Sequence, residues 1–300
     1  MEPHNPVLID SVLDVLSPRA GDRYLDLTAG YGGHSAAVLA RIGASGQAWL
    51  YDQDDEAIKF LRTKFKDTTN IQIEKSNFAE IDYQALPSFE MILMDLGVSS
   101  PQFDQVDRGF SFNKESKLDM RMDRSRELSA HTIVNTYDEK KLADIFYQYG
   151  EERRSRQVAR AICEARRVRP IANTTELAGI VEKVVGKSGK IHPATRVFQA
   201  LRIAANDELT VLESVLPQVA SKLAPGGRLA VITFHSLEDR IVKQYFKSLV
   251  VLEKDNYGRD VGVPEFKLVT KRPIKGAQAD RNNPRSRSAK LRAIEKIKQK

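Results

Sequence analysis

The sequence predicts an α/β protein in which a doubly wound sheet of mostly parallel strands is interrupted by an inserted all-helical segment. Short apolar runs of strand character alternate with helical stretches, and these runs lie at 24–28, 47–51, 71–74 and 91–95. Such alternation is typical of parallel strands joined by crossover helices. It stops after Asp95 and resumes only with the turn and apolar strand at 225–234. The intervening region shows helical and loop patterns without a convincing strand.

These patterns also predict where the domains and the remaining elements lie. One domain is expected from residues 1–104 together with 207–300, and an inserted helical domain from residues 105–206. Apolar residues at helical spacing predict a first helix over 7–16. The predicted helices of the inserted segment are 138–149, 155–167, 175–185 and 193–216. Beyond residue 245 we expect a weak strand at 249–252, a strand at 265–270 and a low-complexity basic tail at 281–300.

Composition indicates a globular protein without a membrane span. Hydrophobic residues make up 41% and charged residues 29% of the 300 positions, and no apolar run approaches the roughly 20 residues that a spanning helix needs. The N-terminus lacks the features of a signal peptide. Because Cys163 is the single cysteine, an internal disulfide is excluded and a cytoplasmic location is expected. The five histidines are scattered, so no metal site is predicted.

The net charge of +7 favours a polyanionic partner. Basic residues concentrate at 153–156, at 166–169 and in the tail at 281–300. Any one of these clusters could be a solvated helix face. Three of them in one chain indicate RNA or DNA as the partner, with the tail contributing phosphate contacts. The oligomeric state stays open between a monomer and a homodimer.

A glycine-rich turn after the first strand predicts a nucleoside-cofactor site. Gly30, Gly32 and Gly33 let the backbone approach a ligand, and the strands on either side end in the carboxylates Asp26 and Asp52. The dinucleotide pattern would require a third glycine at position 35, where this chain has serine. S-adenosylmethionine, which has no phosphate, therefore fits better than NAD: Asp26 is placed for its ammonium and sulfonium, and Asp52 for its ribose. A turn without a ligand is the remaining alternative.

Further strand ends should complete this site, since ligands of open α/β sheets bind at the carboxyl ends of the strands. Phe78, after the third strand, is placed to flank an adenine or to join the core. Asp95 leads into a loop of small residues, 96–102, where hydrogen-bond acceptors would suit methyl transfer to an exocyclic amine. Carbon-5 methylation of a pyrimidine would need a cysteine nucleophile, but Cys163 lies in a predicted helix far from any strand end. The polar run 233–240 is expected to form a substrate wall, with Ser236 and Asp239 as a helix cap.

Eight motifs follow one another along the chain: DLTAGYGGHS (26–35), DLGVSSPQ (95–102), RGFSF (108–112), LDMRMD (118–123), YGEER (149–153), HPATRVFQALR (192–202), FHSLEDR (234–240) and NPRSRS (283–288). In this order they closely resemble the motifs of the bacterial 16S rRNA (cytosine-N4)-methyltransferase H family, also called MraW. The resemblance covers nearly the whole chain. It departs from the family pattern at Ala205, where valine is usual, and at Asn282, neither of which is a donor contact.

The resemblance implies a Rossmann-like class I methyltransferase fold, S-adenosylmethionine as the methyl donor, and N4 of a cytidine in the decoding region of 16S rRNA in the small ribosomal subunit as the acceptor. The inserted helical domain would face the RNA. The expected cofactor contacts are Asp26, Gly30, Gly32, Gly33, His34, Asp52, Phe78, Asp95 and Gln102. The expected catalytic residues are Asp95, Ser99, Ser100 and Pro101. The expected substrate contacts are Arg108, Arg121, Arg196, His235, Ser236, Arg240 and Arg285.

Two alternatives from other functional classes remain at this point. The chain could be a non-catalytic RNA-binding or ribosome-assembly factor that keeps the cofactor fold, although intact Asp52 and Asp95 argue against this. It could also be an NAD-dependent enzyme, which Ser35 disfavours.

Overall fold

The structure, a computed structural model, describes residues 6–97, 106–186, 192–254, 257 and 260–298. The chain divides into two compact units, one formed by residues 1–97 with 209–300 and the other by residues 98–208. None of the described helices is both long and apolar enough to cross a membrane.

The first unit is built on a mixed sheet whose strands follow the order β3-β2-β1-β4-β5-β10-β8, with β9 also paired to β10. Its strands are β1 (Arg23–Asp26), β2 (Gln47–Asp52), β3 (Ile71–Lys75), β4 (Phe89–Asp95), β5 (Leu223–Thr233), β8 (Phe266–Leu268), β9 (Ile274–Lys275) and β10 (Lys290–Lys296). A separate two-stranded sheet pairs β6 (Glu253–Lys254) with β7 (Asp260–Val261). The first five strands run parallel to one another. Their carboxyl ends therefore meet at one edge, as the predicted fold class requires.

Helices cover both faces of this sheet because its strands are apolar on both sides. One core contains Tyr24, Leu50 and Leu93 and packs under helices α1 (Ile9–Leu16), α2 (Gly33–Ile42) and α3 (Asp55–Lys64). The opposite core contains Leu25, Trp49 and Ile92 and packs under helices Glu208–Ser221 and Ser236–Val250. Successive residues of β1 thus point to opposite cores, as expected for an extended strand.

The described residues of the second unit form helices and loops around their own apolar core, which includes Ile133, Phe146, Ile162 and Leu201. Its helices are α4 (Ala130–Thr136), α5 (Glu139–Gln148), α6 (Ser155–Val168), α7 (Thr174–Val185) and α8 (Thr195–Asn206). Cys163 packs against this core, as predicted for an uninvolved thiol.

Several sequence-based element predictions are wrong. Helix α4 was missed. The single helix expected over 193–216 is two, α8 and α9 (Glu208–Ser221), because Asp207 takes a left-handed conformation with φ 53°. The buried side chain of Asn206, just before this break, accepts from Met122 N at 2.8 Å and donates to Met120 O at 2.8 Å.

The end of the chain differs most from the prediction. The expected strand at 249–252 overlaps the end of α10 (Ser236–Val250). The basic tail contains β10, which lies between β5 and β8 and runs antiparallel to both. Burial of Leu291 and Ala293 in one core and of Ile294 in the opposite core shows why the segment folds in spite of its charge. Its basic residues are partly used within the fold, since Lys290 and Arg292 pair with Asp239 at 3.0 and 2.7 Å.

We predict that Leu291→Ala lowers the free energy of unfolding by about 2–5 kcal/mol, because it leaves a cavity where a fully buried side chain packed. Arg287→Ala, an exposed change in the same basic segment, should stay within about 0.5 kcal/mol of the wild type. Urea denaturation followed by circular dichroism measures both. Equal, small effects of the two variants would show that the tail does not belong to the core.

Candidate active site

The candidate site lies where β1, β2 and β4 end, in front of the first turn of α2. Asp26, Asp52 and Asp95 are the last residues of these three neighbouring strands. The glycine turn at 30–33 connects the first of them to α2. The structure therefore brings together the three carboxylates and the glycine turn that the sequence singled out.

Asp26 is held by donors of the protein itself. Its Oδ2 accepts from the Tyr24 hydroxyl at 2.8 Å and from Ser35 Oγ at 2.6 Å, and its Oδ1 accepts from Thr28 N at 3.2 Å. The residue is only 1% exposed. This differs from the predicted direct contact with the ammonium of a ligand: Asp26 anchors the turn and the start of α2, and its charge reaches the site through space. The serine that replaces the third glycine is one of its anchors.

Asp52 fixes the glycine turn to the end of β2. Its two carboxylate oxygens accept from Gly30 N at 2.7 Å and from Asp54 N at 2.9 Å. Both oxygens keep a lone pair that can accept a further hydrogen bond, as a ribose diol would supply. The side chain is only partly buried, so Asp52 is accessible in the role that its sequence position predicts.

Helix α3 supports the glycine turn from behind. Gly32 has φ +66°, and a Cβ at this position would lie 2.8 Å from both Leu61 and Phe65. Lys64 Nζ donates to the carbonyl oxygens of Tyr31 at 3.0 Å and Gly32 at 2.7 Å. Sequence reasoning missed Lys64, since a lysine on an exposed helix face has no pattern that distinguishes it from its solvated neighbours.

Asp95 and His34 face each other across the site. Asp95 Oδ2 lies 3.6 Å from His34 Nδ1. The buried Oδ1 has no hydrogen-bond partner among the described residues. The backbone of Asp95 is fixed by its N–H, which donates to Thr28 Oγ1 at 2.6 Å. A buried acceptor normally has a hydrogen-bond partner. Asp95 Oδ1 is therefore the atom of this site that a hydrogen-bond donor of a ligand would most clearly satisfy.

The site concentrates negative charge, because three carboxyl groups lie close together. Burial raises the pKa of Asp26 above its usual value and raises the pKa of Asp52 and that of Asp95 to about 6 each. The negative charge of Asp26 contributes to the increase at both other carboxyls. Such a cluster attracts a cation and repels a pyrophosphate. A sulfonium with an adjacent ammonium fits this chemistry, whereas a dinucleotide does not.

The remaining residues that were predicted to contact the methyl donor are Phe78 and Gln102. Phe78 follows β3, is half-buried and packs against the core, while its carbonyl accepts from the Tyr83 hydroxyl at 2.8 Å. Four predicted residues of the loop after β4 lie outside the described residues, namely Ser99, Ser100, Pro101 and Gln102.

The predicted substrate wall after β5 is the first turn of α10. His235, rather than Ser236, is its N-cap and forms a capping box with Glu238, so the predicted Ser236–Asp239 cap is wrong. The ring of His235 lies 3.0 Å from the Glu238 carboxylate and is almost completely buried. Arg240 is exposed on the same helix, and Arg285 is exposed in the turn Pro284–Ser288.

Three predicted substrate residues belong to the helical unit. Arg108 is 2% exposed, and its guanidinium donates to Met122 O at 2.8 Å, so it has an internal role that differs from the predicted RNA contact. Arg121 forms an ion pair with Asp119, in which Nε lies 2.6 Å from Oδ1. Arg196 is exposed.

Comparison with known proteins shows similarity along the whole chain. The sequence model described as the MraW methylase family matches residues 1–297. The ribosomal RNA small subunit methyltransferase H of Nostoc punctiforme is 47% identical over 300 residues, covering 98% of this chain and 94% of that protein. The protein of the same name from Dehalococcoides mccartyi is 46% identical, covering 98% and 87%. That from Coprothermobacter proteolyticus is 44% identical, covering 98% and 96%.

The carboxylate cluster predicts that S-adenosylmethionine binds more weakly as the pH falls. A bound cation favours ionised carboxylates, and Asp52 and Asp95 each have a pKa of about 6 in the free protein. Below this pH, binding must release their protons, so the Kd should rise by up to about tenfold per pH unit for each coupled carboxyl. Calorimetry between pH 5 and 8 measures the Kd. Proton release at pH 6, seen as a buffer-dependent enthalpy, is the internal control, and a flat Kd would contradict the coupling.

Proposed function

This chain belongs to the MraW methylase family, and from that premise we propose that it methylates the exocyclic N4 amine of a cytidine in the decoding region of 16S rRNA. It is a methyltransferase that uses S-adenosylmethionine. The names of its relatives support the small-subunit RNA as substrate. The observation that supports the amine as acceptor is the buried Asp95 Oδ1, which awaits a donor at the end of β4.

Bound S-adenosylmethionine would supply an electrophilic methyl group at this sheet edge. Asp52 would hold the ribose hydroxyls, and the glycine turn would offer backbone groups without Cβ atoms in the way. Asp26 and Asp95 would balance the positive charge of the donor. Asp95 would also accept the N–H groups of the cytosine amine, which directs the nitrogen towards the methyl group and stabilises positive charge that develops on it.

Ser99, Ser100 and Pro101 are proposed to line the acceptor base, and Gln102 the donor, on the basis of their motif alone. Phe78 is proposed beside the adenine. A substrate in the small ribosomal subunit also favours the cytoplasm as location, in agreement with the single cysteine.

The function is tested with tritiated donor and small subunits that lack the modification. Wild-type protein should place the label on cytosine N4, identified by nuclease digestion and mass spectrometry. Asp95→Ala should lower turnover at least about a hundredfold, since it removes an acceptor used in the transition state, and should keep the circular dichroism spectrum. Donor binding without any transfer to RNA would favour an assembly factor. Label on adenine or protein would overturn the substrate.

The helical unit is the proposed RNA-facing part. Arg156, Arg160 and Arg167 are exposed and lie on one side of α6, opposite the buried Val158 and Ile162. Eleven residues of helix place the first and last of these about 16 Å apart, enough to follow several phosphates. Arg166, by contrast, turns inward and donates to Val134 O and Tyr137 O, both at 2.6 Å. The remaining arginines can therefore contact RNA without loss of the helix packing.

We predict that replacing Arg156, Arg160 and Arg167 by glutamine weakens RNA binding and reduces the slope of log Kd against log salt by about 2, given about 0.7 per phosphate contact on single strands. Glutamine at Arg41, Arg62 and Lys66, exposed basic residues of the other unit, changes the net charge equally and is the control. Filter binding from 50 to 300 mM salt measures the slopes. Identical slopes for the two triple variants would contradict a specific basic surface on α6.

A further inference from the structure

We propose that His34 is a positioning residue for catalysis, which orients the Asp95 carboxylate and keeps it ionised so that Oδ1 can accept the cytosine amine. This inference rests on the proposed function and adds a role for His34 beyond contact with the donor. The geometry of the ring, the identity of its two partners and the charges around Asp95 support this role.

The tautomer of His34 is set by the N-terminal segment. The ring Nε2 lies 2.9 Å from the carbonyl oxygen of Val7, and since a carbonyl only accepts, Nε2 must carry the proton. The segment itself is fixed, because Leu8 N donates to Asp280 Oδ2 at 3.0 Å and Pro6 packs against Gly33. His34 is 7% exposed. The ring is therefore held in one orientation, with Nδ1 towards Asp95.

This orientation requires a proton between His34 and Asp95. With Nε2 committed to Val7, a neutral ring would present the lone pair of Nδ1 to Asp95 Oδ2, 3.6 Å away. Two acceptors facing each other in a buried site repel. We place this proton on Nδ1 rather than on Oδ2, so that the contact is an imidazolium–carboxylate ion pair at 3.6 Å and Oδ1 remains the free acceptor. Oδ2 of Asp95 thus faces His34, which positions the carboxylate, and Oδ1 is left for the reaction.

The charges around Asp95 show why such a partner is needed. Among the described residues, the charged groups that affect Asp95 are His34 on α2, Asp26 on β1 and Glu238 on α10. Burial and the two acidic side chains raise the pKa of Asp95, and His34 alone of the three lowers it. Without His34 the carboxyl would be protonated at higher pH and would then donate a hydrogen bond where the reaction needs an acceptor.

The reaction balance agrees with this role. Methyl transfer forms the N4–C bond and breaks the S–C bond of the sulfonium, whose electron pair stays on sulfur. The nitrogen is left with one proton more than the neutral product carries. That proton passes to Asp95 Oδ1, provided that the carboxyl was ionised at the outset, and then leaves to solvent.

Two amide substitutions separate this role from a structural one. His34→Gln places an amide near the position of Nε2, so that it can keep the bond to Val7 but loses the group that faces Asp95. His34→Asn places an amide near Nδ1, so that it can donate to Asp95 but loses the bond to Val7. We expect His34→Gln to move the acidic limb of kcat/KM from about pH 6 up by about one pH unit, which lowers the rate about fivefold at pH 6 and less than about threefold at pH 9. His34→Asn should retain more activity at pH 6 than His34→Gln.

A second readout does not depend on activity. The Asp95 carboxyl carbon, followed by 13C NMR in donor-free protein and assigned with Asp95→Asn, should titrate at a higher pH in His34→Gln than in the wild type. Failure of the wild type to methylate RNA would refute the proposed function and leave this titration as the test of the pair. An unchanged titration, or equal losses in both variants at every pH, would overturn the proposal.

Discussion

The burial of three carboxylates at one edge of a parallel sheet is the constraint on which the rest of the structure depends. Asp26, Asp52 and Asp95 end adjacent strands; loss of hydration raises the pKa of each, and the charge of Asp26 raises the pKa of the other two further. Neighbouring parts of the protein compensate for this: backbone N–H groups donate to Asp52, hydroxyls donate to Asp26, and the His34 imidazole lies beside Asp95. An excess of negative charge remains, and Asp95 Oδ1 remains without a hydrogen-bond partner among the described residues. The charge makes the site suitable for a cationic methyl donor, and the free oxygen makes it suitable for an amine as methyl acceptor.

The elements around this edge serve mainly to hold it in place. Helix α3 closes the glycine turn from behind through Leu61, Phe65 and Lys64. The N-terminal segment fixes His34, and Asp280 of the C-terminal region fixes that segment. The chemistry is therefore concentrated in a few side chains, while their orientation depends on parts of the chain that are remote in sequence.

Much of the fold follows from local patterns, because parallel strands buried on both faces read as continuous apolar runs. This holds for β1, β2 and β4. The glycine turn was likewise evident from residues that are close together in the sequence. Local patterns do not reveal β10, because charged residues surround its buried Leu291, Ala293 and Ile294 and because its pairing partners lie far along the chain. The many basic residues of 281–300 suggested a tail without a strand, because amino-acid composition does not distinguish the two faces of a strand. The break at Asp207 was equally hidden, since apolar spacing continues across it.

The sequence by itself determined the class of fold, the cofactor type and the strand-end carboxylates, since these depend on residues close together in the chain. Only the tertiary structure decided what each carboxylate does. Asp26 became an anchor, Asp52 remained accessible to a ligand, and Asp95 acquired His34 as a partner. The physical reason is that ionisation and hydrogen bonding depend on distance and burial, which are set when separate strand ends, and segments as far apart in sequence as Leu8 and Asp280, meet in space.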